Sequence, residues 1–432
     1  MKKRFIFILC GLFLCAGTIA ATDYNALQQG AVGDGKTLNT KSLQSAIDAL
    51  HAKGGGQLYF PAGRYLTGSL QLKSNVTLYL EKEAMLLGST SPYDYPGFST
   101  EKELKVNNDH FDQALIYAEG AENIGITGEG CIDGQGRELA LTIDSLHHTG
   151  ELVDKHYNTY RKRPNTRPKL LFMRNCRKVE LRKTNFRSGA AWGLSFSLCV
   201  DLTIDSLHVE NRAYWNNDGI DISDCKDVRI SNCFINSADD GICLKSHNRG
   251  AWNDRVSISN CHIISSASAI KFGTESLGGF KNVTIDNIRI KDTFRSAIAI
   301  ESVDGAEIEN VKLENIEIVC PGRATRGMAY MSVSRLKDVP ENEKGYPEFT
   351  MFEELPSWGF YVRHVKGIQM HNVKLRLQED DFRPAFVFDR VSDVRLSDIS
   401  LPENKKAGQV VLRQTSLQSA DNAVKEYVRE VE

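Results

Sequence analysis

Two aspartate-rich turns stand a short segment apart, Asn216-Asn217-Asp218-Gly219-Ile220-Asp221-Ile222 and Asp239-Asp240-Gly241-Ile242-Cys243-Leu244. Each leads into alternating apolar residues, so pairing Ile220 with Ile242 and Ile222 with Leu244 sets Asp218 beside Asp240 and Asn217 beside Asp239. Strands paired in this way are about 4.8 Å apart, which gathers three carboxylates on one patch. Like charges that close resist joint ionisation, so at least one pKa must rise while a neighbour stays ionised. General acid and general base catalysis need that division of labour. Such aspartates can also close turns, as Asp-Gly commonly does, or bind calcium. Stacking in register favours catalysis for Asp218, Asp239 and Asp240, whereas Asp221, Asp224 and Asp227 taken singly read as turn or surface residues.

The elements that must hold these turns recur along the chain. Segments such as CRKVEL, CVDLTI, CKDVRI, KNVTID and SDVRLS share a polar start followed by alternating apolar residues. Aligned on their first apolar position they fall at Val76, Ile124, Val179, Leu202, Val228, Val256, Val283, Ile308, Ile368 and Val394. The successive spacings are 48, 55, 23, 26, 28, 27, 25, 60 and 26 residues. A unit of about two dozen residues cannot bury its own apolar face, but a stack of such units can. This predicts an all-β chain folded as a right-handed parallel β-helix, the long gaps being two coils or one coil with a loop. Gly and Asn near strand ends suit the positive-φ corners. Asn39 to His51, with Leu43, Ala46, Ile47 and Leu50 on one stripe, predicts a short N-terminal capping helix, and Ala420 to Val431 a second amphipathic helix.

With 432 residues, 41% hydrophobic and 25% charged, the chain is neither disordered nor collagen-like. Its net charge of -2 excludes a global basic field of the kind that binds nucleic acid. Lys2-Lys3-Arg4 followed by apolar Phe5 to Ala21 has the pattern of a signal peptide over residues 1–21, leaving 22–432 as one β-helical domain exported to the periplasm or beyond, off the membrane once cleaved. Eight cysteines remain after that segment, and Cys176, Cys199 and Cys225, each three residues before a repeat position, read as an inward column of thiols rather than bridges. No His/Cys pair has zinc-ligand spacing, so no metal or other cofactor is expected.

NNDGIDI and, one coil later, ADDGICLKS closely resemble glycoside hydrolase family 28, the polygalacturonase family, whose pattern is Asn-Thr-Asp followed by Gly-Asp-Asp. YNALQQGAVGDGKTLNTKSLQSAIDAL, GGGQLYFPAGRYLTGSL, RPKLLFMRNC and AAWGLSF extend the likeness, which covers about residues 24–400. The resemblance implies an inverting hydrolase of α-glycosidic bonds in pectic polysaccharide or oligosaccharides, with Asp239 as general acid and Asp218 and Asp240 activating water. An inverting pair usually stands about 6.5 to 9.5 Å apart, and stacked coils suggest nearer 5 Å. Ser268, within Ala267-Ser268-Ala269, stands where the family's Gly-His-Gly has histidine, and Ala299-Ile300-Glu301 where Arg-Ile-Lys grips a substrate carboxylate.

Glu301 would repel a uronate at that subsite. Lys245, Lys271 and Arg295 have the parity or position to bind a uronate instead, and Asn216 lies at the mouth of the first turn. The run Arg161-Lys162-Arg163 with Arg167 and Lys169 suits either an acidic sugar or a solvated loop, and Trp192, Tyr214 and Trp215 either sugar stacking or packing. Alternatives are a rhamnogalacturonan-directed or exo-acting hydrolase of the same family, a calcium-dependent elimination lyase, and a non-catalytic glycan-binding β-helix.

Overall fold

The computed structural model describes residues 22–95, 114–152, 157, 166–324, 333–341, 355–402 and 408–432. The expected signal peptide over residues 1–21 and the run Arg161-Lys162-Arg163 lie outside them. Strands form two long parallel sheets, one of 19 strands and one of 12, and coil upon coil they make a parallel β-helix. The twelve-stranded sheet stacks β1 (Leu70–Gln71), β2 (Ala114–Glu119), β3 (Lys169–Arg174), β4 (Leu194–Ser197), β5 (Ile220–Ser223), β6 (Ile242–Ser246), β7 (Ile270–Ser276), β8 (Ile298–Ile300), β9 (Phe360–Arg363), β10 (Phe386–Asp389), β11 (Val410–Arg413) and β12 (Val428–Val431).

Alternation decides what each strand buries, because successive side chains point to opposite faces. Leu194, Ile220, Ile242, Ile270, Ile298, Phe360, Phe386 and Val410 are paired in register and lie in the main core. Each such side chain stabilises the fold by roughly 1.5 to 3 kcal/mol when fully buried. Phe360 and Phe386 stack with ring centroids 4.8 Å apart. Cys176, Cys199 and Cys225 form the expected buried column as free thiols.

The corners explain the repeat. The residue before each aligned apolar position except Ile308 has positive φ: Asn75, Asn123, Lys178, Asp201, Asp227, Arg255, Asn282, Gly367 and Asp393; in the coil of Ile308 that conformation falls at Asn310. Asparagine tolerates that conformation better than most residues, and its amide links coils: Asn282 Nδ2 donates to Asp254 Oδ1 and Asn310 Nδ2 to Asn282 Oδ1, both at 2.8 Å. This column corrects one alignment. Val283 pairs with Val311, and Ile308 pairs with Phe280 three residues earlier. In AEIENV both isoleucine and valine suit the apolar pattern, but only Val311 follows the left-handed Asn310. Each long gap is one coil with an insertion, since Val76 stacks beside Ile124, Ile124 pairs with Val179 and Val311 with Ile368. The second gap holds an unexpected helix, Gly136–Thr149.

The N-terminal helix spans Thr40–Ala52 and buries Leu43, Ala46, Ile47 and Leu50 against the first coils, as its stripe predicts. Asn39 does not cap it; its side chain accepts from Val32 N–H at 2.7 Å and donates to Thr37 and Leu66 carbonyls at 2.8 and 3.2 Å. The second predicted helix is corrected. Only Asn422–Lys425 is helical, and Val428–Val431 instead adds a last strand to the sheet, pairing Val428 with Val410. An open sheet edge leaves backbone donors and acceptors unpaired, and that need outweighs the weak helical stripe.

Candidate active site

The two aspartate turns sit on adjacent coils at the entrance to β5 and β6. Ile220 pairs with Ile242, Asp221 with Cys243 and Ile222 with Leu244, the register that the sequence predicts. Asp239 N–H donates to Asn217 O at 3.2 Å, joining the two turns directly. The turns stack so closely that a Cβ on Gly219 would come within 2.5 Å of Gly241 O, and one on Gly241 within 2.5 Å of Ala269 O. Glycine is therefore required at both positions.

Polar side chains behind the turns fix them. Asn211 Nδ2 donates to Asp218 O at 2.8 Å, and Asn217 Nδ2 to Gly189 O and Ala191 O at 2.9 and 2.7 Å. Arg167 donates to Ala190 O and Trp215 O, each at 2.6 Å, and to Asn216 Oδ1 at 3.0 Å. Asn216 has φ 54° and so shapes the first turn from a left-handed corner. Arg167 and Lys169 are buried, not solvated.

The three carboxylates have unequal surroundings. Asp218 and Asp240 are buried, whereas 24% of the Asp239 side chain is exposed. Burial, then Asp221 and Asp239, push the Asp218 pKa well above the usual carboxylate range. Burial, then Asp240, raise that of Asp239. Burial acts upward on Asp240 too, but Lys271, then Arg295 and Lys245, outweigh it and hold Asp240 below the usual range. The Ser268 N–H donates to Asp240 Oδ1 at 3.2 Å. The charged form is thereby favoured at Asp240 relative to the two carboxylates beside it.

Each predicted cation meets a carboxylate of this cluster. Lys271 Nζ stands 3.3 Å from Asp240 Oδ2, Lys245 Nζ 3.9 Å from Asp221 Oδ1, and Arg295 Nη1 3.9 Å from Asp239 Oδ1. Burial disfavours the Lys271 charge, yet Asp240 and then Glu301 shift its pKa upward overall. Glu301 is itself buried, which pushes it up to about 7 against the pull of Lys271, and its Oε2 has no hydrogen-bond partner. Ser268 is fully buried beside the second turn, its Oγ likewise without a hydrogen-bond partner. Trp192, two residues before Leu194, lies under the ammonium groups of Lys169 and Lys245 at 4.7 and 4.8 Å; Trp215 is half exposed.

Asp221 is a correction. It is not a turn or surface residue but fully buried on the outward face of β5, between Ser195 and Cys243. Burial raises it to about 6, opposed by Lys245 and Lys169. Its alternation with Ile220 and Ile222 marks the outward parity, the signal by which sequence could have found it. Asp224 is a turn residue with φ 53°, and Asp227 stands at the left-handed start of the strand Lys226–Ser231 with φ 58°.

Among the described residues, Asp218, Asp240 and Cys243 bring ligand atoms within 4.8 Å of one another. They suit calcium poorly, because that ion takes six to eight oxygens, while one ligand is a thiol pushed up by burial and Lys271 already faces Asp240.

The sequence profile of Glycosyl hydrolases family 28 matches residues 56–320, and that of Rhamnogalacturonase A/epimerase, pectate lyase-like, matches 24–87. A probable polygalacturonase of Vitis vinifera is 30% identical over 299 residues, 65% of this chain and 55% of that protein. An exo-poly-alpha-D-galacturonosidase of Dickeya chrysanthemi is 28% identical over 248 residues, 50% of this chain and 41% of that protein. The chain thus spans about half the length of these curated relatives. The family 28 exopolygalacturonase of Yersinia enterocolitica shares the fold, with TM-score 0.64 and 22% identity over 95% of this chain and 77% of that one. A polygalacturonase from Erwinia carotovora does so with TM-score 0.60 and 18% identity over 90% of this chain and 96% of that one. With a family match across most of the β-helix and the aspartate turns stacked in register, the chain belongs to glycosyl hydrolases family 28.

Proposed function

We propose that the protein hydrolyses α-glycosidic bonds of a pectic polysaccharide or its oligosaccharides by single displacement with inversion. The stacking of the two aspartate turns on adjacent coils, which gathers Asp218, Asp239 and Asp240 on one patch, is the observation that carries this reading. The opposite directions in which Asp239 and Asp240 are shifted accord with it. Asp239, raised and the most exposed of the three, donates a proton to the departing glycosidic oxygen. Water attacks the anomeric carbon from the other face of the ring, and ionised Asp240, with Asp218 beside it, receives the proton that the water loses. The water oxygen ends on the new reducing end and its proton on the aspartate pair. The spacing within 4.8 Å belongs to Asp218 and Asp240, both assigned to water, and not to the acid and base across the bond. Lys271 and Arg295 serve as charge partners within the cluster, and Lys245 and Lys169 form with Trp192 the cationic side that favours a uronate.

Glu301 supports a second reading in the same family, a rhamnogalacturonan-directed enzyme. A buried carboxyl with an unpartnered oxygen suits a neutral sugar hydroxyl better than a uronate. The basic and apolar N-terminal segment supports export to the periplasm or beyond.

Incubation with homogalacturonan, rhamnogalacturonan backbone and defined oligosaccharides tests the function. Saturated reducing ends with inverted anomeric configuration are expected; unsaturated ultraviolet-absorbing ends would make the protein a lyase, and retention without products a binding protein. Asp239→Asn should lower kcat by about 10²-fold to 10⁴-fold with the melting temperature little changed. Near-native turnover by that variant would remove Asp239 from the acid role.

A further inference from the structure

We propose that Ser265 is a positioning residue for the hydrolysis, a buried hydroxyl that fixes the turn of Asp239 relative to the turn that holds Asp240. This inference rests on the hydrolase reading above and on the roles it gives to those two aspartates. The Asp240 side chain has close partners, Lys271 and the Ser268 N–H. Asp239 differs, since its side chain is 24% exposed and meets Arg295 only at 3.9 Å. Its backbone, by contrast, is held on both sides.

Behind the turns, the last residues of three successive strands of the nineteen-stranded sheet form a polar column: Asn211 of His208–Asn211, Ser237 of Phe234–Ser237 and Ser265 of Asn253–Ser265. Asn211 pairs in register with Ser237 and Ser237 with Ser265, and all three are fully buried. A polar side chain buried this deeply destabilises the fold unless it is hydrogen-bonded, and each member of the column bonds a catalytic turn. Asn211 holds Asp218 O. Ser237 Oγ donates to Asp239 O at 2.8 Å from the same coil, and Ser265 Oγ donates to it at 2.6 Å from the next. Both lone pairs of that carbonyl are thus engaged, while the Asp239 N–H donates to Asn217 O. The peptide groups on either side of the acid are pinned.

Ser265 does more than Ser237. Its Oγ also accepts from the Ala267 N–H at 2.9 Å and lies 3.2 Å from Ser268 O, so it shapes the Ala267-Ser268-Ala269 turn. That turn gives its Ser268 N–H to Asp240 Oδ1, and its Ser268 O accepts from the Gly241 N–H at 2.9 Å. One hydroxyl thus ties the backbone of the acid to the turn that grips the base. Acid and base must be held closely to their working geometry, because a small misplacement costs rate even when every reacting group is present. The charges that face the two aspartates belong to Asp218, Lys245, Lys271 and Arg295, with Asp221 facing Asp218. Removing the Ser265 hydroxyl alters none of them; it changes only hydrogen bonding and position.

Steady-state kinetics of Ser265→Ala across pH, on the pectic glycan that the native chain cleaves, give the test. We expect kcat to fall about 10-fold to 100-fold with KM changed less than about twofold. Both limbs of the kcat profile should move inward. The acidic limb rises because Asp240 loses the Ser268 bond that favours its charge, and the basic limb falls because a loosened Asp239 is better hydrated and releases its proton more easily. Ser237→Ala, which leaves the Ala267-Ser268-Ala269 turn intact, should lower kcat and move the basic limb alone, and Ser265→Thr, which keeps a hydroxyl, should leave both limbs in place. A lower melting temperature for Ser265→Ala with native kcat and both limbs unmoved is the signature of a merely structural serine and would overturn the proposal. If Ser265→Ala does not fold, Ser237→Ala decides: a shifted basic limb supports positioning through the Asp239 carbonyl, and a native profile overturns it. No hydrolysis of any pectic glycan by the native chain would remove the hydrolase reading itself, and this proposal with it.

Discussion

Asp240 holds a negative charge in a place where burial alone would neutralise it, and Lys271 is the largest pull in that direction. The pH dependence of activity follows from the two opposed shifts. Asp239 must hold a proton, so activity should fall as pH rises through its elevated pKa; Asp240 must be ionised, so activity should fall as pH drops through its depressed one. Lys271→Met removes the principal cation, so the acidic limb of the kcat profile should move upward and the active window narrow, on neutral and uronate substrates alike. An effect confined to KM on uronates would instead assign Lys271 to the substrate carboxylate. Glu301 affects stability with the opposite sign to a paired carboxylate. Its folded pKa of about 7 lies above the unfolded value near 4.3, so its contribution is complete below about pH 4.3 and is lost as pH rises towards 7. Glu301→Gln should flatten that decline in urea unfolding measured between pH 5 and 7; an unchanged slope would place the titration elsewhere. Asp218, Asp239 and Asp240 were legible in the sequence because the apolar residues after them set their register. Arg167 was not, since its three acceptors come from residues 23 to 49 positions away, brought close only by coiling.

At the level of the element, the corner is the most informative unit. The strands were legible from their alternation, and the coil length from recurring apolar positions, but where two apolar residues competed, as at Ile308 and Val311, pattern alone chose wrongly and backbone conformation decided. The C-terminal segment misled for a related reason: a four-residue helix and a strand share one amphipathic stretch, and the unpaired edge of β11 determines which prevails. Asn282 tests the corner account. It is exposed, has φ 55° and links two neighbouring coils through its amide. Asn282→Ala should destabilise by about 1 to 2 kcal/mol, because a left-handed conformation is costly for alanine. Asn282→Gly should recover part of the loss by relieving the backbone while still lacking the amide. Equal losses in urea unfolding would mean that the hydrogen bonds matter and the conformation does not.

For the molecule as a whole, the fold class followed from the repeat because stacking is the only way such short units bury apolar surface. The inserted segments were not legible, since they share no repeat; among them is the piece that carries Leu336 and Val339 over the outer face. The register that joins Asp218 to Asp240 has a further consequence. A β-helix is graduated like a ruler, with one coil per division, and the reaction is read between two adjacent marks. An extra coil spliced in after Ile368 would lengthen the ruler beyond the site and leave the catalytic interval intact. The same coil spliced between β5 and β6 would move Asp218 from Asp240 by a further strand spacing of about 4.8 Å, without altering a single catalytic residue, and should abolish turnover in a protein that still folds. The distance between the carboxylates is thus stored not in either turn but in the number of coils separating them.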